Sequence, residues 1–138
     1  MAMQMAHAAA SRSEDPWTKV GAVALTSDNR VIAVAYNGLL PGFSIEECPY
    51  IFTDRERRRP YMVHAEQNLA SLIKRNEAHT VVTTVRPCSS CLLLLASHGI
   101  RDFVYELEYE TDITTETIAK FYKLNLTYAS TTVVPTGI

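Results

Sequence analysis

The sequence predicts an α/β fold, a three-layer α/β/α arrangement around a central mixed sheet of about five strands. Three observations predict it. Helix-like and strand-like stretches alternate in the order α-β-β-α-β-α-β-α-β. The strand-like runs are short and rich in β-branched residues, while the helix-like ones carry an apolar stripe of period 3.6. The 138 residues suffice for one domain with a single sizeable core, so 1–138 reads as one domain.

The elements follow in order. Residues 2–12 are helix-like, and Asp15-Pro16 ends them because the residue before proline avoids the helical region. Residues 20–25 and 31–36 are β-rich, and the polar Thr26-Ser27-Asp28-Asn29 between them predicts a hairpin. Asn37-Gly38 and Pro41-Gly42 mark a loop. Residues 43–61 fit no period and carry the charged run Asp54-Arg55-Glu56-Arg57-Arg58-Arg59. Residues 63–75 are helical, with Ala65, Leu69, Leu72 and Ile73 on one stripe. Residues 80–85 form a strand. Pro87 opens another helix and Gly99 stops it. A strand over 101–105, an amphipathic helix over 114–123 and a last strand over 126–130 complete the chain.

Composition narrows the function classes. A formal net charge of −2 gives no basic field for nucleic acid or for a membrane surface. The apolar runs 31–36 and 91–96 are far too short to span a bilayer. Residues 1–10 lack a charged n-region and read as the first helix, not a signal peptide. Of three cysteines, two form a C-x-x-C, which favours metal or redox chemistry in a reducing compartment, hence a cytoplasmic location.

The chemistry concentrates at two helix starts. Pro87-Cys88-Ser89-Ser90-Cys91 puts two thiols at i and i+3, so both sulfurs face one way. The positive end of the helix dipole favours the thiolates that zinc binds. Val63-His64-Ala65-Glu66 opens the other helix. If the two starts adjoin, His64, Cys88 and Cys91 supply three tetrahedral ligands, and the fourth position stays open for water, as in a catalytic zinc site. His64 and Glu66 would point apart on the side of a helix, yet over its N-terminal end both reach one small volume. Glu66 then sits beside the zinc-bound water without being a ligand.

H-x-E…P-C-x-x-C is the signature of zinc nucleobase deaminases. Together with Ser13-Glu14-Asp15-Pro16, Lys19-Val20-Gly21-Ala22-Val23, Tyr36-Asn37-Gly38, Arg59-Pro60-Tyr61, Met62 to Asn68 and His98-Gly99-Ile100, it makes residues 11–109 resemble the deoxycytidylate (dCMP) deaminase branch of the cytidine deaminase superfamily. The resemblance implies the cytidine-deaminase-like fold and zinc-dependent hydrolysis of dCMP to dUMP with release of ammonia, feeding thymidylate synthesis. It implies Zn2+ on His64, Cys88 and Cys91, and Glu66 as the catalytic carboxylate. It also implies sugar binding by Asn37, a pyrimidine carbonyl on the Ala65 N–H, and acceptance from the leaving amine by the Arg86 carbonyl. Tyr109 falls where the family tends to place an aromatic over the base. The family further implies a homo-oligomer, often a hexamer, with dCTP and dTTP as effectors bound through the loop after Tyr-Asn-Gly. Here that loop carries bulky Leu39 and Leu40 and departs from the usual pattern. Some relatives hold a second, structural zinc before His-x-Glu, a stretch in which this chain offers only Cys48.

Other readings stand beside these. A C-x-x-C alone also fits a thioredoxin-like pair. A nucleic-acid-acting deaminase, such as a tRNA adenosine deaminase, shares the zinc motif, but the net charge and Cys-Ser-Ser-Cys-Leu oppose it. His7, His79 and His98 read as structural, Cys48 as a free thiol, and Asn37 either as a sugar ligand or as a turn residue. For the substrate phosphate, Lys19 and the Arg57-Arg58-Arg59 cluster, with Arg59 foremost, are the candidates, because guanidinium matches phosphate oxygens; a solvated face is the alternative for the arginines. Leu92 to Leu95 is apolar around much of its circumference, which predicts a subunit contact beside the core.

Overall fold

The computed structural model describes residues 1–108 and 113–129. Five strands build one mixed sheet: β1 (Gly21–Leu25), β2 (Val31–Tyr36), β3 (Thr80–Val85), β4 (Asp102–Leu107) and β5 (Asn125–Tyr128), in the order β2-β1-β3-β4-β5. β1 runs antiparallel to β2 and β3, whereas β3, β4 and β5 are mutually parallel. The helices are α1 (Ala2–Ala10), a single-turn α2 (Arg55–Arg58), α3 (Ala65–Ser71), α4 (Ser89–Ser97) and α5 (Ile113–Tyr122). Three layers result, as the alternating pattern predicts. α1 covers one face through Ala6, Val23, Leu25 and Val82, and α3, α4 and α5 cover the other through Leu69, Leu92, Leu95, Phe103 and Ala119.

The alanines of α1 permit an unusually close approach to the sheet. A Cβ on Gly21 would stand 1.8 Å from the Ala6 carbonyl oxygen, so the helix backbone lies directly on β1 and only glycine fits there.

Several boundaries differ from the sequence reading, each for a local reason. α3 stops at Ser71 rather than at 75. Asn76 takes a positive φ of 64°, and its N–H donates to the His98 carbonyl at 2.7 Å, a tertiary bond that competes with the last helical turn. Leu72, placed on the buried stripe by its spacing, is consequently exposed. α4 begins at Ser89, because Cys88 is its N-cap with extended backbone. Gly99 does end that helix, at φ 94°, with its N–H on the Ala96 carbonyl and the Ile100 N–H on that of Leu95. Residues 43–61 have no long period because they form short turns over Ile45–Glu47, Pro49–Phe52 and Arg59–Tyr61 around α2. Among the described residues, no helix is long and apolar enough to cross a membrane.

β3 and β4 both end toward the starts of α4 and α5, and the antiparallel β2 ends at Asn37 beside the start of β1. In open α/β sheets such strand ends frame the crevice where ligands bind.

Candidate active site

The N-termini of α3 and α4 meet at that crevice. His64 is the N-cap of α3, held by its own N–H donating to Gln67 Oε1 at 2.7 Å. Cys88 caps α4, and Cys91 lies one turn along. His64 Nδ1 stands 3.7 Å from Cys88 Sγ and 3.3 Å from Cys91 Sγ, and the three ligand atoms lie within 4.8 Å of one another. A tetrahedral zinc with Zn–S near 2.3 Å and Zn–N near 2.0–2.1 Å separates nitrogen from sulfur by about 3.6 Å. The three side chains therefore fit that ion.

Their electrostatics suit it as well. The Cys88 thiol is pushed down to about 3, first by the hydrogen bond from Cys91, with further bonds from His64 and Ser90 and against the effect of burial. Cys91 moves the other way, because it donates that bond to Cys88 and is buried. His64 is held above its ordinary value, chiefly by its hydrogen bond to Cys88. The cluster thus stores a thiolate before any metal arrives, the protonation state a ligand needs.

Glu66 is the second residue of α3, 4% exposed. Burial pushes its carboxyl up to about 7, although its own backbone N–H and His64 favour the charged form. A carboxylate balanced near neutrality both takes and returns a proton. Ala65, fully buried, is the first residue of α3, where a helix N–H has no intrahelical acceptor.

One cavity of about 270 Å³ unites these groups, near the lower end of the range for ligand pockets. His64, Ala65, Glu66, Arg86, Cys88 and Asn37 all line it, as does Arg59. Asn37 commits both ends of its amide to backbone: Nδ2 donates to the Thr18 carbonyl at 2.9 Å and Oδ1 accepts from the Val20 N–H at 2.9 Å. It thereby ties the entry of β1 to the exit of β2. Lys19 is not among the lining residues; it is exposed and donates to the Ser13 carbonyl. Tyr109 lies outside the described residues.

Three lining residues carry no single-residue signal in the sequence. Asp15 and Arg58 form an ion pair, Asp15 Oδ1 to Arg58 Nε at 3.0 Å, with both side chains buried. Asp15 appears in the sequence only as part of a family-like string, and Arg58 only as one of a charged run. Thr115, from α5, is buried and has no pattern that could reveal it. Arg86 is buried to 4% exposure, with its guanidinium near the Tyr105 ring and its terminal nitrogens 3.8 Å from Glu108 and 3.6 Å from Glu116.

The chain is similar to several known proteins. Residues 1–107 match the family model described as the cytidine and deoxycytidylate deaminase zinc-binding region. A deoxycytidylate deaminase of Pongo abelii is 29% identical over 110 residues, which span 75% of this chain and 61% of that protein. A deaminase from Aliivibrio fischeri, named for its position in the luxG 3′ region, is 36% identical over 98 residues, or 70% and 64% of the two chains. The chain therefore spans about three fifths of the length of these two relatives. The crystal structure of the dCMP deaminase of cyanophage S-TIM5, in apo form, superposes with a TM-score of 0.72 at 20% identity and covers 93% of this chain and 94% of that one, a likeness of fold.

Proposed function

Because this chain belongs to the cytidine and deoxycytidylate deaminase zinc-binding family, we propose that it works as a single zinc-dependent deaminase domain over 1–138, in the cytoplasm, converting dCMP to dUMP and ammonia and so feeding thymidylate synthesis. The observation that carries the reading is the meeting of His64, Cys88 and Cys91 beside a small cavity that a buried, near-neutral Glu66 also lines. A redox C-x-x-C needs no such histidine and carboxylate.

His64, Cys88 and Cys91 would hold zinc, whose Lewis acidity would lower the pKa of a water from about 15.7 to about 7. Glu66 takes the proton of the attacking water and delivers it to the ring nitrogen next to the aminated carbon. It then takes the proton of the hydroxyl newly bonded to that carbon and delivers it to the amine, which leaves as ammonia, so one residue serves as base and as acid. The first N–H of α3, at Ala65, receives the pyrimidine carbonyl, and the Arg86 carbonyl accepts from the amine. The cavity holds the ring against both. Asn37 lies at the sugar end, where its clamp on residues 18 and 20 shapes the wall.

Ammonia release from a panel of dCMP, CMP, deoxycytidine, dCTP and a cytidine-containing oligonucleotide tests the reading. dCMP should be used best, and no ammonia from any member of the panel would sink it.

We also propose a homo-oligomer. In α4, Leu92 and Leu95 are fully buried while Leu93 is exposed, so part of the helix's apolar surface is left for a neighbouring subunit. Light scattering at working concentrations should give a mass above that of one 15.4 kDa chain, and a monomer would refute the assembly. The loop carrying Leu39 and Leu40 is the place where a dCTP or dTTP effector would act, readable in the same assay as a change of rate on adding either.

A further inference from the structure

The charged run before α3 places four arginines within five residues, and the fold treats them unequally. Arg57 is exposed and hydrogen-bonded to Thr53 Oγ1 at 3.3 Å. Arg59 is half-exposed, lines the cavity and lies 3.5 Å from Glu56. Arg55 is partly buried, with its Nε enclosed, but does not line the cavity. Arg58 is buried, its side chain 8% exposed, and it does line the cavity.

Its orientation is built. Nε stands 3.0 Å from Oδ1 of Asp15, which is 1% exposed. That contact is an ion pair without hydrogen-bond alignment, since Nε has no well-aimed acceptor. Asp15 is itself fixed: its Oδ1 accepts the Trp17 N–H at 2.8 Å and its own N–H donates to Ser13 Oγ at 3.2 Å. Among the described residues no hydrogen bond engages the terminal nitrogens of Arg58, and they are not sealed off as Nε is.

A buried ion pair seldom gains stability over an apolar pair of the same size. A pair whose cation keeps its outer donors open to a ligand cavity therefore points to binding. We propose that Arg58, held in place by Asp15, takes the phosphate oxygens of the substrate and sets the preference for a nucleoside monophosphate over the free nucleoside. This rests on the cytosine-nucleotide reading above and names the group that enforces it. The charge balance favours an anion: Arg58, Arg59 and Arg86 line the cavity against two carboxylates, Asp15 and Glu66, while Glu56 is exposed and outside the lining. A dianion gains more from this wall than a sugar hydroxyl does, because charge-assisted bonds are shorter and stronger.

The test uses the zinc-loaded full chain. kcat/KM is measured for dCMP and deoxycytidine, and binding constants are measured for the product pair dUMP and deoxyuridine. In Arg58→Gln the dCMP-to-deoxycytidine ratio should fall roughly 10- to 100-fold, carried mainly by KM. Arg58→Lys, which keeps the charge but not the planar donors, should recover part of it. Asp15→Asn should lower the same ratio by a smaller factor, as a positioning residue would, and Asp15→Glu should restore some of it. Melting temperature and zinc content confirm that each variant is folded and loaded. A parental ratio in both Arg58 variants overturns the proposal. So does parent protein that binds dUMP no tighter than deoxyuridine, a result that needs no turnover and is independent of whether dCMP is deaminated. Tighter dUMP binding that survives Arg58→Gln likewise assigns the phosphate elsewhere and overturns it.

Discussion

Glu66→Ala is expected to lose roughly 10³- to 10⁴-fold in kcat with dCMP while keeping its zinc, its fold and most of its affinity for product. Each decade is about 1.4 kcal/mol of barrier, so the carboxylate is asked to supply about 4–5.5 kcal/mol. That is a reasonable share for a group that moves two protons. The expectation follows from placement. Glu66 is 4% exposed, lines the cavity, and is held near a pKa of 7 by burial, so neither form is strongly preferred at neutral pH. Its carboxylate is not among the three clustered ligand groups. Glu66→Gln retains shape but cannot accept a proton, and it should be nearly as slow. Metal analysis beside steady-state kinetics decides the matter. Loss of zinc in either variant would mean that the carboxylate is a ligand, and a rate within tenfold of the parent would remove it from the chemistry.

Cys88→Ala should fail differently, losing metal, activity and stability together. Cys88 and His64 cap two separate helices, and the ligand set joins those caps. A metal held at 100 to 1,000 times its dissociation constant stabilises the folded state by about 3–4 kcal/mol. For a chain of this size, that corresponds to roughly 10 °C or more in Tm. Chelation of the parent protein should bring its Tm down to that of Cys88→Ala, and the variant's own Tm should not respond to chelator. Full activity in protein shown to contain no zinc would refute the assignment, as would a chelator-insensitive parent.

The legible part of this protein was local. β3 is Thr80–Val85 in the sequence reading and in the structure alike, and Gly99 ends α4 in the left-handed conformation, because β-branched runs and glycine stops act through backbone sterics that need no partner. His64, Glu66, Cys88 and Cys91 were legible for a related reason. Each pair lies within four residues at a helix start, so spacing sets what its two members can share, while the fold brings the two starts together. What tertiary structure decided was which of several equivalent residues turned inward. Arg57, Arg58 and Arg59 are indistinguishable by type and period, and only the buried Asp15, 43 positions upstream, selects Arg58 for the cavity wall. Lys19 and Asn37 show the same dependence, since their reach was settled by the carbonyls of Ser13 and Thr18. The end of α3 was decided by a His98 carbonyl that takes the Asn76 N–H across the fold. A charge or an N–H has no preferred direction of its own, so its role waits on whichever distant partner the packed chain brings within about 3 Å.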